Sequence, residues 1–193
     1  MRIFALLICL SLTAGVCDAD IIQFRLTGAG GDGLLGSNIS PDTGELGSGG
    51  IGATGVTFNT DNNLFHIDVV WGSANGFTDL SQDVERFHLH GPTANGFADG
   101  HGQVAPLILT LQTAVGFDGS ASSGGLNDNF LLDDIQEEAL LAGRTYLNVH
   151  LTTSDTGIIR GYLTPVPEPM STFPVAVAAL MAVSKRRRRS LPR

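Results

Sequence analysis

The sequence predicts an all-β fold: an antiparallel Greek-key β-sandwich or partly closed barrel with one short helix. Three observations predict it. Short runs alternate apolar and polar residues, clusters of Gly, Asn, Asp and Pro separate those runs, and only one segment in 193 residues reads convincingly as a helix. Set between two targeting-like ends, the middle is long enough for one domain with a real core.

Taken in order, residues 21–26 (Ile-Ile-Gln-Phe-Arg-Leu) form the first β-like run. The glycine-rich residues 28–50 read as a long connection with irregular pairing. Residues 52–60 read as the next strand, closed by the turn Thr60-Asp61-Asn62-Asn63. Residues 64–71 alternate cleanly, with Phe65, Ile67, Val69 and Trp71 on one face and Leu64, His66, Asp68 and Val70 on the other. After a loop over 72–82, a strand is expected over 85–90, then a turn-rich loop to Gly102 and an apolar strand over 104–111. Residues 116–129 are polar and glycine-rich and read as irregular, with calcium-like oxygens between Asp118 and Asp128 but no EF-hand spacing. Residues 134–141 make the helix. Asp133, Asp134, Glu137 and Glu138 form its solvated start, and Gly143 lies just beyond its end. Two strands, 145–151 and 158–163, close the domain as a hairpin with a long loop.

The chemistry-bearing stretch is Phe87-His88-Leu89-His90-Gly91. On a strand, Phe87 and Leu89 face one way, and His88 and His90 the other. The run Tyr146-Leu147-Asn148-Val149-His150 repeats the pattern, placing Tyr146, Asn148 and His150 together. Imidazoles at alternate strand positions can grip a metal ion, and copper and zinc suit them. They can equally brace the neighbouring loop through hydrogen bonds, with Asn148 between them. The metal-ligand candidates are His88, His90, His150 and His101 in the loop; Asn148, Tyr146 and Arg160 support the same polar face. His66 beside Asp68 reads as a surface residue. No catalytic residue is assigned, because no nucleophile motif, phosphate loop or paired-carboxylate signature stands out.

Charge excludes one class of partner. Between residues 20 and 164 the only basic side chains are Arg25, Arg86, Arg144 and Arg160, against seventeen acidic ones, a net charge of −13. Such a domain repels nucleic-acid phosphate and anionic lipid.

The ends read as routing segments. Residues 1–19 have a charged start, an apolar run and small residues suited to cleavage after Ala19 by signal peptidase. Both cysteines, Cys9 and Cys17, fall in this segment, so a domain over 20–164 folds without disulfides. Residues 165–193 hold a proline-rich linker, an apolar stretch of fourteen residues and the cluster Arg186, Arg187, Arg188 and Arg189. That stretch rises about 21 Å as a helix, short of the roughly 20 residues that a stable span needs. Basic charge behind it stays cytoplasmic and leaves the domain outside.

The tail resembles the PEP-CTERM sorting signal of Gram-negative bacteria: Pro167, Glu168 and Pro169, then the apolar segment, then the arginines. The resemblance implies recognition by an exosortase-type processing enzyme, transient membrane contact and delivery to the cell surface or extracellular matrix. The middle resembles a CHRD domain, through Arg86 to Gly91 with the following glycine loop, Leu141 to His150, and Gly157-Ile158-Ile159-Arg160-Gly161-Tyr162-Leu163. This implies a structural or binding module without enzymatic activity, with an exopolysaccharide or surface protein as partner. The same histidine strands faintly resemble copper-zinc superoxide dismutase, which implies the alternative of a secreted copper- or zinc-binding metalloprotein using His88, His90 and His150.

Overall fold

The computed structural model describes residues 21–94, 104–119, 122–152 and 157–167. The signal-like residues 1–19, His101, and the tail from Glu168 through Arg189 lie outside them. Among the described residues the strands are β1 (Ile21–Thr27), β2 (Leu34–Leu35), β3 (Ser48–Asn59), β4 (Leu64–Trp71), β5 (Val84–His90), β6 (Leu107–Thr110), β7 (Phe117–Asp118), β8 (Gly124–Leu131), β9 (Tyr146–Leu151) and β10 (Ile159–Pro165). The helix is α1 (Asp134–Leu141). All strand pairings are antiparallel, in the order β6-β5-β9-β10-β1-β3-β4-β8-β7, with β2 bridging β10 and β3.

This single sheet bends so that its halves face each other across one apolar core, the arrangement of an all-β sandwich. Phe65, Ile67, Val69 and Trp71 bury the inner face of β4, and Phe87, Leu89, Leu147 and Val149 bury that of β5 and β9. Trp71 meets Phe87 edge-on at 5.9 Å between ring centroids, and Phe24 meets Phe65 at 6.4 Å. The ends of the sheet touch: Val84 N–H donates to the Gly119 carbonyl, and Leu80 N–H to Ser122. That closure leaves few backbone groups of the sheet edge exposed there.

The helix begins and ends as its sequence requires. Asp133 accepts from the amides of Ile135 and Gln136, while the Gln136 side chain accepts from the Asp133 amide. This capping box contributes about 1 kcal/mol. Gly143, at φ 65°, takes the left-handed conformation that lets the chain leave the helix.

Several expectations need correction. Residues 116–129 are not irregular: β7 and β8 lie there, and all eight residues of β8 pair with β4. Asn, Asp and Gly are poor strand formers, but pairing with an established strand overrides local preference. The connection over 28–50 contains β2 and the start of β3, where Gly49 is needed because a Cβ would meet Val70 O at 2.6 Å. The apolar stretch 104–111 yields only the four-residue edge strand β6, with Leu107 half exposed. Pro165 belongs to the end of β10 rather than to a linker. It lies opposite Phe24, while the next residue, Val166, donates to Gln23 O. The missing N–H of Pro165 therefore faces away from β1, where no ladder bond is lost.

Candidate functional site

The site forms on the outer face of β5, β9 and β10. Register places Arg86 opposite His150, His88 opposite Asn148 and His90 opposite Tyr146, with Asn148 beside Arg160 and Tyr146 beside Tyr162. Paired residues share a face, so the alternation read in the sequence becomes a two-dimensional patch. The patch is largely buried: Tyr146, Asn148, His150, Arg160 and Tyr162 are all inaccessible, and His88 and His90 are half-buried. The polar face read in the sequence is therefore recessed.

Ligating nitrogens of His88, His90 and His150 all lie within 4.8 Å of one another. The rings of His88 and His90 stand 5.4 Å apart and those of His88 and His150 5.0 Å apart, both edge-on. A metal with nitrogens at about 2.0–2.1 Å needs them roughly 3.3 Å from one another.

The surroundings set the rings. His90 Nδ1–H donates to the Ala105 carbonyl at 3.0 Å. In the neutral ring this leaves the lone pair on Nε2, which is buried and has no hydrogen-bond partner among the described residues. Tyr146 stacks on His90 with centroids 5.2 Å apart and planes 11° from parallel, and its hydroxyl accepts from Ala105 N–H. Arg160 lies over the Tyr146 ring, Cζ 3.9 Å from the centroid. Asn148 Nδ2 and His150 Nε2 are in hydrogen-bond contact at 3.1 Å. Asn148 is seated because residue 157 is glycine; a Cβ there would fall 1.9 Å from Asn148 Oδ1.

Both half-buried histidines are held below the usual imidazole range. Burial is the main cause for each, with His90 and Arg86 adding to it at His88, and Arg160 at His90. The Ala105 hydrogen bond opposes the shift at His90 without reversing it. The unfolded chain therefore takes up protons near pH 6.5 that the folded site refuses. Metal-free protein should keep its stability above that pH and lose it as the pH falls below about 6.5. Urea midpoints at pH 7.5 and 5.5 with chelator present check this: the midpoint should be lower at 5.5, and equal or higher would contradict it.

His66 stands apart from this group. Its Nε2 meets Thr54 Oγ1 at 2.8 Å and its Nδ1 meets Asn129 Oδ1 at 3.2 Å. Asp68, on the same face of β4, is buried and accepts from both the amide and the hydroxyl of Thr54. The bulge in β3 between Ile51 and Val56 brings Thr54 there. Sequence reasoning missed this network because a bulge leaves no periodic signal.

The fold and site define an antiparallel β-domain carrying a recessed cluster of three imidazoles. The chain belongs to the CHRD domain family, whose model matches residues 33–163. The match begins after β1, yet β1 sits between β10 and β3 in the same sheet. No curated protein and no solved structure matches the chain.

Proposed function

We propose that the chain is an exported CHRD β-domain that works outside the cytoplasmic membrane as a binding module without turnover. Its ligand is a transition-metal ion, copper or zinc, held by His88, His90 and His150. The observation that carries the metal reading is the convergence of three ligating nitrogens within 4.8 Å. The unprotonated, unpartnered Nε2 of His90 supports it, since ligation requires the neutral ring. Bound there, the ion would stitch β5 to β9, and it would supply a coordination position for a small molecule or a surface partner.

Export rests on the two routing segments and agrees with membership of the CHRD family, a module that occurs in secreted proteins. Signal peptidase would release the chain after Ala19. An exosortase-type enzyme would act on the Pro167-Glu168-Pro169 tail after its transient contact with the membrane. An exopolysaccharide or a surface protein is then the macromolecular partner. The acidic domain gives no surface for nucleic acid.

Mass spectrometry and metal analysis of the protein recovered from outside the cell test both halves. The expected result is termini near Asp20 and near Pro167, with one equivalent of copper or zinc per chain. An intact arginine tail on released protein contradicts the processing, and folded protein that takes up neither ion contradicts the metal site.

A further inference from the structure

Resting on the exopolysaccharide partner read above, we propose that a second site, on strands other than those of the histidines, binds a neutral saccharide. It is a cavity on the outer face of β4 and β8. Register sets Asp68 opposite Asn127 and Val70 opposite Gly125, so all four stand on one face. Together with Asn75 and Gly124 they line a cavity of about 340 Å³, within the range of sites for small ligands. Its buried carboxylate is what makes it a site. Asp68 is only 5% exposed, and Thr54 donates its amide and its hydroxyl to the same oxygen, Oδ2. The other oxygen, Oδ1, accepts no hydrogen bond among the described residues. A carboxylate so desolvated, with half its accepting capacity unspent, calls for a donor. Gly52 leaves room for that oxygen, since a Cβ there would lie 2.1 Å from it.

The neighbouring amides present the same chemistry. Asn75 spends its Nδ2 on the carbonyls of Trp71 and Gly124, and Asn127 turns its Nδ2 to Thr54 Oγ1 at 3.4 Å. Each keeps its amide oxygen as an acceptor. The cavity therefore offers several acceptors, one of them charged, to a ligand rich in O–H donors. Adjacent hydroxyls of a sugar ring are such donors, and a carboxylate accepts them in short, strong bonds. Val70 and the side-chain-free Gly124 and Gly125 leave an apolar patch for the C–H face of the ring. A second carboxylate, Asp118, lines the cavity and is exposed. With the acidic body of the domain it repels uronate and sulfated glycans, which leaves a neutral glycan as the ligand.

The test is a calorimetric titration of the exported protein, with chelator present, using cellohexaose, maltohexaose and mannohexaose, and oligogalacturonate as the charged comparison. At least one neutral sugar should bind, and oligogalacturonate should not. Asp68→Asn, which keeps the shape and removes the charge, should weaken binding about tenfold, and the exposed Asn127→Ala about fivefold. The His88→Ala/His90→Ala variant should bind as the parent does, because those rings stand on β5. Sugar binding unchanged in both Asp68→Asn and Asn127→Ala would overturn the site while keeping a glycan as partner. Folded protein that binds none of the neutral sugars would also overturn it. If that protein still sediments with exopolysaccharide from the exporting cells, the partner reading stands and only this site falls; if it does not, both fall. Calcium taken up in place of any sugar, and lost in Asp68→Asn, would likewise overturn the saccharide reading.

Discussion

The His88→Ala/His90→Ala variant should lose metal binding while keeping its fold. Both side chains leave the outer face of β5, whereas the strand is anchored by Phe87 and Leu89 on the opposite, fully buried face. One ligand, His150, then remains from the group of three. Losing a residue that only orients a ligand typically weakens metal binding ten- to a hundred-fold, so loss of two ligands should exceed about a hundred-fold. Equilibrium dialysis should find the metal stoichiometry fall from one to none, with the circular dichroism spectrum unchanged. Undiminished binding would place the metal elsewhere. Unfolding would mean instead that the two rings brace the Ala105 connection, as the alternative reading of the sequence has it. The single variant His88→Ala separates these outcomes, because of the two rings it is His90 that bonds the Ala105 carbonyl.

Trp71→Ala should have the largest effect on stability. Trp71 ends the inner face of β4, is fully buried, and touches Phe87 and Phe117 from the two strands flanking the closure of the sheet. Truncating a buried tryptophan costs about 3–5 kcal/mol, much of the 5–15 kcal/mol that a domain of this size commands. No disulfide can compensate in the body of the domain, whose sequence between residues 20 and 164 contains no cysteine. Urea unfolding should show a midpoint shifted far down with its slope retained. A loss below about 1 kcal/mol would mean that the two halves of the sheet do not meet on this ring. Because Phe87 adjoins His88, metal bound at the site should recover part of the loss.

Much of this architecture was legible wherever local chemistry and final environment agree. The alternation in Leu64–Trp71 survives because β4 lies mid-sheet with one apolar face inward. Asp133, Gln136 and Gly143 mark the helix because capping is a local interaction. The paired faces of His88 and His90, and of Tyr146, Asn148 and His150, follow from strand geometry alone. Their adjacency does not: it depends on β5 choosing β9 as neighbour across some sixty residues, a non-local pairing that periodicity does not encode.

Strand β8 was hidden for the opposite reason. Its sequence Gly-Gly-Leu-Asn-Asp-Asn-Phe-Leu is locally turn-like, and only pairing along β4 makes it a strand. Burial of the histidine face was equally invisible. It comes from the chain around Ala105 and Gly157 folding back against Tyr146 and Asn148. Arg160 illustrates the limit well. An isolated base in an acidic domain reads as one half of an ion pair, whereas here its guanidinium also lies on the Tyr146 ring behind His90.

X-ray absorption at the metal edge, on exported protein loaded with one equivalent of copper or zinc, tests the central claim most directly. The account requires a first shell of three nitrogens at about 2.0 Å, with the outer-shell scattering of imidazole rings. A shell without imidazole scattering, or folded protein that holds neither ion, would contradict it.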